Sequence, residues 1–376
     1  MQSNLNDRSS IRIIRTENSW IEGDAVRQLQ QASRLDGVLY SVGLPDLHPG
    51  KSSPVGAAYK VNGIIYPALI GNDVGCGVAL FSTRIKKKKV KRDRWINKLK
   101  DLDQPFDDDL DKWRRMFLLD SSANDIALGT IGGGNHFAEL QSIEKVYDSD
   151  TFNALGPDKN CLFILVHSGS RSMGDALLRE HTDQYGAKGL AAGSLQARRY
   201  LAGHDEALKW AACNRAVIAH RFASSINSES KAVIDVCHNS VMRKSDAAGS
   251  FWLHRKGAAS SESDLVVIPG SRGSLTYLVK ARGDQERNLW SLPHGAGRKW
   301  NRSSCKGRLR DRFPAQSLVQ TAIGSYVICE DKNLLYEEAP QAYKNIDAVI
   351  ADLIEAGLID VIATLRPIIT YKMRKN

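Results

Sequence analysis

Three short apolar segments, rich in β-branched residues, place the strongest constraint on how this chain can fold. Each segment runs directly into small or polar residues, which is the pattern of a buried strand that ends at a turn. Strands that present functional groups from their ends commonly build a site on a rigid scaffold. The sequence therefore predicts a sheet whose strands deliver polar groups. The segments are 162–166 before His167-Ser-Gly-Ser, 232–236 before Cys237-His-Asn, and 265–268 before Pro269-Gly-Ser.

Helical patterns lie between these predicted strands. The spacing of apolar residues predicts helices over 24–35, within 174–226 (most clearly over 205–223) and over 340–357, a loop over 44–50 and a strand over 64–70. In the last helix, Pro340 suits the first turn and Gly357 suits the cap. The mixture predicts an α+β fold, a single large domain over residues 1–376 with an extensive sheet surrounded by helices.

The composition excludes several classes of protein. Hydrophobic residues make up 42% of the 376 residues, enough for a large core. No apolar run approaches the roughly 20 residues that cross a bilayer, and residues 1–7 lack the basic-then-apolar pattern of a signal peptide. We therefore expect a soluble, cytoplasmic protein without a membrane partner. The cysteines form no CxxC pair and are expected to be reduced thiols; they are Cys76, Cys161, Cys213, Cys237, Cys305 and Cys329.

Positive charge is concentrated in one stretch. The formal net charge is +10, and residues 84–100 carry ten positive side chains against Asp93 alone, so the remainder of the chain is almost neutral. Such a stretch suits a polyanion such as RNA, because phosphate contacts supply affinity that is independent of sequence. A solvated surface segment is the alternative. The sequence leaves both open.

Four of the nine histidines lie in loops rich in Gly, Ser or Asn. They are His136, His167, His238 and His294. Upstream, Gly75 and Gly77 make a tight turn easy, so Asp73 and Cys76 can converge on one metal. Carboxylate, thiolate and imidazole form a plausible set of metal ligands. Any single histidine is more often structural, and no close spacing such as HExxH occurs, so the prediction of a metal site depends on the ensemble.

The glycine-rich loops suggest an anion site beside this set. Residues 132–135, 269–273 and 294–298 can each bring backbone N–H groups close to an anion. With Arg272 and Arg298 they suggest a pocket for nucleotide phosphates, although three tight turns would give the same pattern. None of the loops matches a P-loop or a Rossmann GxGxxG.

Seven segments, taken in order, closely resemble the signature blocks of the RtcB family of RNA ligases, over about residues 45–372. The ending Leu365-Arg-Pro-Ile-Ile-Thr-Tyr-Lys372 is most similar to the branch encoded beside peptide chain release factor H. The segments are Asp73-Val-Gly-Cys-Gly, Gly132-Gly-Gly-Asn-His-Phe, His167-Ser-Gly-Ser-Arg, His238-Asn, His254-Arg-Lys-Gly-Ala, Pro269-Gly-Ser and His294-Gly-Ala-Gly-Arg.

The resemblance implies a role for each matching residue. It makes His294 the catalytic nucleophile that becomes guanylated. The implied ligands of two Mn(II) ions are Asp73, Cys76, His136, His167 and His238, with Cys76 bridging. The implied contacts to GTP are Asn135, His136, Phe137, Ala138, Glu139, His238, Asn239, Pro269, Gly270, Ser271, Arg272, Thr276, His294, Gly295, Ala296, Gly297 and Lys372. Ligand chemistry alone would have favoured zinc over manganese.

The implied activity is the GTP- and Mn(II)-dependent joining of a 2′,3′-cyclic phosphate or 3′-phosphate RNA end to a 5′-hydroxyl end, through a histidine–GMP intermediate. The expected role is RNA repair, with broken tRNA or ribosomal RNA as substrate and release factor H as a functional partner. Two other readings are a GTP-independent, metal-dependent RNA phosphoesterase on the same scaffold and a non-catalytic RNA-binding factor. The intact His294 segment and the intact set of predicted ligands weigh against both.

Overall fold

The computed structural model describes residues 10–17 and 19–374. The signal-peptide prediction for residues 1–7 lies outside these described residues. The strands are β1 (Ser10–Ile13), β2 (Val38–His48), β3 (Val55–Val61), β4 (Ile64–Ile65), β5 (Gly77–Lys86), β6 (Phe137–Val146), β7 (Cys161–Ser168), β8 (Leu190–Ala191), β9 (Ser230–Cys237), β10 (Asn239–Asp246), β11 (Gly249–Lys256), β12 (Ala258–Ser260), β13 (Leu265–Pro269), β14 (Thr276–Ala281), β15 (Ser291–Pro293), β16 (Tyr326–Cys329) and β17 (Ile359–Met373). The α-helices are α1 (Gly23–Ala32), α2 (Arg92–Lys98), α3 (Leu110–Phe117), α4 (Ser149–Ala154), α5 (Ser172–Tyr185), α6 (Leu195–Ser225), α7 (Arg302–Leu309), α8 (Lys332–Glu337) and α9 (Ile346–Glu355).

Two large sheets form the scaffold. The larger has the order β13-β14-β17-β6-β7-β5-β9, with β16 pairing to β17, and the smaller has the order β1-β2-β3-β11-β10. Neighbours in both sheets are antiparallel, apart from the parallel pairs β1–β2 and β16–β17. Short two-stranded pairings join β12 to β15 and β4 to β8. Mixed sheets with packed helices confirm the α+β class.

Strand β7 is the centre of the larger sheet, and its sequence explains why. All eight residues from Cys161 to Ser168 are buried, as expected for a strand that is covered on both faces. One face packs against Ile218 and Phe222 of α6 and Trp95 of α2. The other packs against Phe152 of α4 and a layer of strand side chains. The site described below therefore stands on the most buried part of the protein.

The three predicted strands over 162–166, 232–236 and 265–268 are confirmed as β7, β9 and β13. The predicted helix over 24–35 is α1, which ends three residues earlier, at Ala32. The region 174–226 contains α5 and α6 with the short strand β8 between them, and the clearest periodicity, over 205–223, falls inside α6. A serine cap, Ser194, begins α6 by accepting a hydrogen bond from the backbone of Ala197.

Three of the local predictions are wrong in part. Most of the predicted loop over 44–50 belongs to β2, because Leu44 and Leu47 are buried and an irregular register between Gly43 and His48 accommodates Pro45. The predicted strand over 64–70 stops at β4, since a proline at 67 begins a 3-10 turn there. The predicted helix over 340–357 starts only at α9, with Asn345 as its cap. The domain boundaries 1–376 stay a prediction.

Candidate active site

One end of the larger sheet gathers the predicted chemical groups. In β-sheet register, Gly77 at the start of β5 pairs with Ser168 at the end of β7 and with Cys237 at the end of β9. Phe137 at the start of β6 pairs with His167. Because adjacent strands run in opposite directions, residues that precede β5 and β6 meet residues that end β7 and follow β9. The prediction that strand ends deliver the site is confirmed.

The five predicted metal ligands form one contiguous cluster. The thiol Sγ of Cys76 lies 3.4 Å from Nε2 of His136 and 3.3 Å from Nε2 of His167. Oδ2 of Asp73 lies 2.9 Å from the same His136 nitrogen. The ring of His238 lies 5.1 Å from that of His167, measured between centroids. Ligand atoms of Cys76, His136 and His167 all lie within 4.8 Å of one another, so these three can hold a metal ion.

The state of these side chains fits a cation. Oδ1 of Asp73 is buried without a hydrogen-bond partner, which is costly unless something positive pairs with it. Burial, together with neighbouring positive groups, lowers the pKa of His167 and His238 well below the usual value, so both imidazoles are neutral and keep a lone pair for a metal. Burial and the nearby Asp73 raise the pKa of the Cys76 thiol. A metal would have to displace that proton on binding.

Arg215 of α6 holds the two metal-facing loops together. Its guanidinium is 2% exposed and donates to the backbone oxygens of Gly75 (2.8 Å) and Ser168 (3.0 Å). It also pairs with Asp235 of β9 at 2.8 Å. The turn that carries Cys76 is thereby tied to the end of the strand that carries His167. This role could not be predicted from the sequence, because Arg215 lies in the middle of a helix with an ordinary periodic pattern.

His294 lies beside the cluster and is oriented by a buried carboxylate. Its Nδ1 lies 2.7 Å from Oδ2 of Asp46, and its ring centroid lies 4.9 Å from that of His238. Because a carboxylate only accepts, Nδ1 carries the proton and Nε2 keeps its lone pair. Gly297 supports the close approach, since φ is 71° and a Cβ there would lie 2.2 Å from the backbone oxygen of Asp46.

Asp46 and His48 were missed because residues 44–50 read as a loop. His48 is buried and stacks on the His294 ring with 6.0 Å between centroids. The available signal was an acid and a histidine among leucines, in Leu44-Pro-Asp-Leu-His48. A polar pair inside a short apolar segment implies burial with a partner.

A pocket opens in front of His294 and His167, with about 550 Å³ of space including its open mouth. Eleven residues of the predicted nucleotide set line it: Asn135, Phe137, Glu139, Pro269, Gly270, Ser271, Arg272, His294, Gly295, Ala296 and Lys372. Three further lining residues, Glu338, Tyr343 and Thr370, had no sequence signal.

Six members of the predicted nucleotide set do not line this pocket. His136 and His238 belong to the cluster described above. Asn239 is held by the backbone of Asp73 and Gly257, Ala138 packs in the core, Thr276 accepts from the side chain of Gln141, and Gly297 lies against Asp46.

The pocket has a balanced set of buried charges. Burial raises the pKa of Glu139 to about 7, although Thr370 and Gln141 donate hydrogen bonds to its carboxyl. Glu338 is the opposite case, because burial is outweighed by Lys372 and Arg298, which lower its pKa to about 2. The Nζ of Lys372 lies 3.5 Å from that carboxylate and donates to the backbone oxygen of Gly134 at 2.8 Å.

The two arginines predicted for phosphate binding differ. Arg272 lines the pocket, is 7% exposed, and leaves Nε and Nη1 without a partner. Arg298 instead pairs with Glu338 at 3.0 Å and donates to the backbone oxygen of Glu337. Its guanidinium is engaged by protein groups, so the phosphate role suggested for Arg298 gains no support.

The basic stretch 84–100 begins at the other end of the sheet. Lys86 ends β5 and pairs with Asp158, and Lys87–Lys89 form an exposed 3-10 turn beyond it. Lys86 is the last of the ten residues of β5, and about 30 Å separate it from Gly77 at the metal-facing end, at roughly 3.3 Å per residue. Of the helices that the structure describes, none has the length and apolar composition needed to cross a membrane.

A buried Cys/His/Asp cluster beside a pocket and an oriented histidine is the arrangement expected from the resemblance to the RtcB family, and comparison with known families shows the same family. The model of the family described as "tRNA-splicing ligase RtcB" matches residues 28–105 and 114–373. The chain therefore belongs to the RtcB family.

Individual relatives agree across nearly their whole length. An "RNA-splicing ligase RtcB2" of Escherichia coli (strain ATCC 25922) is 45% identical, over 96% of this chain and 94% of the relative. A "tRNA-splicing ligase RtcB" of Archaeoglobus fulgidus is 28% identical, over 93% and 91%. The "RNA-splicing ligase RtcB" of Escherichia coli K12 is 26% identical, over 94% and 95%.

Proposed function

We propose that this member of the RtcB family is an RNA ligase that uses GTP and Mn(II) to join a 2′,3′-cyclic phosphate or 3′-phosphate end to a 5′-hydroxyl end, with His294 as the nucleophile. The observation that carries the proposal is the 2.7 Å contact between Asp46 and Nδ1 of His294. It leaves Nε2 free beside the pocket on one side and a set of metal ligands on the other.

The residues support a covalent transfer of GMP. The lone pair of His294 Nε2 attacks the α-phosphorus of GTP, an N–P bond forms, and the P–O bond to the leaving pyrophosphate breaks. The Nδ1 proton stays on the ring, and the buried carboxylate of Asp46 stabilises the positive charge that develops there. Bound at Asp73, Cys76, His136, His167 and His238, Mn(II) would supply Lewis-acid stabilisation of the phosphoryl charge.

The proposed reaction then continues in three steps. Addition of water opens a cyclic phosphate to a 3′-phosphate. An oxygen of the 3′-phosphate attacks the phosphorus held by His294, and Nε2 leaves as a neutral imidazole. The 5′-hydroxyl then attacks the 3′-phosphorus, GMP departs, and the hydroxyl proton is lost to solvent or a base. Each transfer forms one bond to phosphorus and breaks another.

Two buried groups in the pocket suit a guanine base. Guanine presents N–H donors on its Watson–Crick edge, and the carboxyl of Glu139 is an acceptor at a pocket wall. Lys372 and the unpartnered Nε and Nη1 of Arg272 are donors for the carbonyl and phosphate oxygens. The predicted nucleotide set is thus proposed to bind GTP mainly through the eleven members that line the pocket.

Labelling with α-³²P-GTP tests the proposal. In the presence of manganese we expect a label on the protein that is acid-labile and alkali-stable, as a histidine phosphoramidate is. His294→Ala should abolish this label, whereas His220→Ala, which changes a histidine that contacts Trp113 away from the site, should retain it. Label that persists in His294→Ala would place the nucleophile elsewhere. Absence of label in a manganese-loaded wild type would favour the GTP-independent phosphoesterase.

The biological setting is a separate part of the proposal. The resemblance of the C-terminal segment to the branch encoded beside release factor H suggests broken tRNA or ribosomal RNA as the substrate, in the cytoplasm. Co-purification of tagged release factor H with this protein, and ligation of cleaved tRNA against cleaved ribosomal RNA, would test the two parts separately.

A further inference from the structure

A second basic segment lies beside the pocket, although the net charge of the whole chain does not reveal it. Residues 298–312 carry seven positive side chains and one negative, Asp311, but acidic residues elsewhere cancel them in the net count. The segment contains α7 and continues past its end. Unlike the stretch 84–100, it directly follows the His294 loop, so it is positioned by the site itself.

Contacts place α7 at the mouth of the pocket. Arg302, the first residue of α7, donates to Oδ1 of Asn135 at 3.2 Å and lies 3.7 Å from Glu338. Both Asn135 and Glu338 line the pocket. The buried side of the helix, Cys305 and Leu309, packs into the core beneath it.

The exposed side of α7 is a stripe of cations. Arg302, Lys306 and Arg310 are spaced by four residues and therefore lie on one face, about 6 Å apart along the axis at 1.5 Å per residue. Arg308 is also exposed and lies over the Trp300 ring, 5.3 Å from its centroid. This cation–π contact holds the guanidinium against the surface.

These cations are not neutralised by the protein. Among the described residues, Lys306, Arg308 and Arg310 have no carboxylate within 4.0 Å. Lys306 donates only to the neutral amide of Asn333. In the other basic stretch, Lys86 is paired with Asp158 and Arg84 with Glu229. The exposed Lys87–Lys89 have no such partner among the described residues, so they differ from the α7 cations in their position relative to the pocket. A row of unpaired cations is the electrostatic footprint of a polyanion.

We propose that the exposed surface of α7, with Lys306 and Arg310 on one flank of the helix and Arg308 on the other, binds the phosphate backbone of the RNA nucleotides next to the break. This inference rests on the proposed function, since it assumes that an RNA end enters the pocket. It assigns the RNA surface to the segment that touches the pocket, whereas Lys87–Lys89 lie about 30 Å away along β5.

Two matched triple variants test the assignment. One combines Lys306→Gln, Arg308→Gln and Arg310→Gln, and the control combines Lys87→Gln, Lys88→Gln and Lys89→Gln. Each removes three exposed positive charges. The probe is a short, fluorescein-labelled single-stranded RNA ending in a 3′-phosphate, without GTP, and binding is followed by anisotropy across a series of salt concentrations.

We expect the α7 triple to flatten the slope of log K against log salt by about 2, since each lost phosphate contact on a single strand removes roughly 0.7. At about 0.1 M salt this corresponds to binding weaker by on the order of 100-fold. The control triple should change both quantities far less. An unchanged slope in the α7 triple, or an equal change in the two triples, would overturn the inference.

Folding and chemistry are checked on the same samples. A charge-conserving triple, Lys306→Arg, Arg308→Lys and Arg310→Lys, should bind RNA like the wild type; failure to do so would refute an electrostatic role. Guanylation by GTP needs no RNA and should be equal in all variants. If the wild-type protein is never guanylated but the α7 triple variant still binds RNA more weakly than the wild type, the proposed ligase chemistry is rejected and the RNA surface is supported.

Discussion

Replacement of Asp46 by Asn should nearly abolish guanylation of His294 while leaving the fold in place. The carboxylate is 0% exposed and accepts from Nδ1 of His294 at 2.7 Å and from its backbone N–H at 3.3 Å. An asparagine has almost the same shape. Its amide can donate to Nδ1, however, which would move the ring proton to Nε2 and leave the nucleophile without a lone pair.

The size of the effect follows from this change of tautomer. Where a buried Asp orients a catalytic His, Asp→Asn lowers the rate by about 10⁴, or roughly 5 kcal/mol at 1.36 kcal/mol per decade. His294 acts as nucleophile rather than as base, so part of the loss can differ, and we expect a decrease of about 10³ to 10⁴. The assay is single-turnover labelling with α-³²P-GTP over a range of pH.

A matched control is Asp352→Asn. Asp352 is also buried, at 3% exposed, and accepts hydrogen bonds from Thr16 and Ser19, away from the pocket. Its loss should lower stability without slowing guanylation of the folded protein. The reasoning would be refuted if Asp46→Asn were guanylated within about tenfold of the wild type, or if Asp352→Asn showed the same loss at equal folded fraction.

Three other predictions use the buried groups of the site. Cys76→Ala should lose bound manganese, measured by atomic emission after dialysis, whereas Cys161→Ala at the other end of β7 should keep it; equal occupancy would reject the ligand. Glu139 has a pKa raised from 4.5 to about 7 by burial, so its contribution to stability is complete below pH 4.5 and is lost as pH rises through 7. The difference in unfolding free energy between the wild type and Glu139→Gln, measured by urea titration, should therefore fall by about 3 kcal/mol between those pH values. A difference that does not change with pH would contradict this prediction. Arg215→Met leaves the backbone oxygens of Gly75 and Ser168 without their buried donor and should cost about 2–6 kcal/mol, and Lys209→Met, at an exposed pair, should cost less than about 1 kcal/mol.

The parts of the fold that the sequence predicted correctly are those where local pattern and burial agree. Strands β7, β9 and β13 are short, apolar and β-branched, and each ends at a small or polar residue. Each of the three segments that were misassigned in part, 44–50, 64–70 and 340–357, contains a proline whose effect on the backbone depends on its surroundings. In 44–50, the proline occupies a register irregularity of β2, a feature set by pairing with β3 that is not visible in the segment itself.

Some residues of the candidate site could be predicted from their local sequence, and others could not. The loop histidines stood out because glycine and serine around them have few structural reasons to flank a buried ring, and the structure brings His136, His167, His238 and His294 together. Asp46 and Arg215 act through them and come from segments far away in sequence. Nothing in the sequence links an acid at 46 to a histidine at 294, because only the packing of β15 against β2 makes them neighbours.

The basic surface of α7 could not be recognised from the sequence alone. A basic run such as 84–100 is easily detected in the sequence because ten cations lie close together and only Asp93 interrupts them. In 298–312 the cations are spread among Ser, Gly and Leu, and their importance depends on which of them the fold leaves unpaired. Arg298 forms an ion pair with Glu338, and Arg302 lies close to the same carboxylate. Lys306 and Arg310 are exposed. The distribution of unpaired charge is therefore a property of the folded surface, and it places the cationic face beside the pocket where a broken RNA end would have to enter.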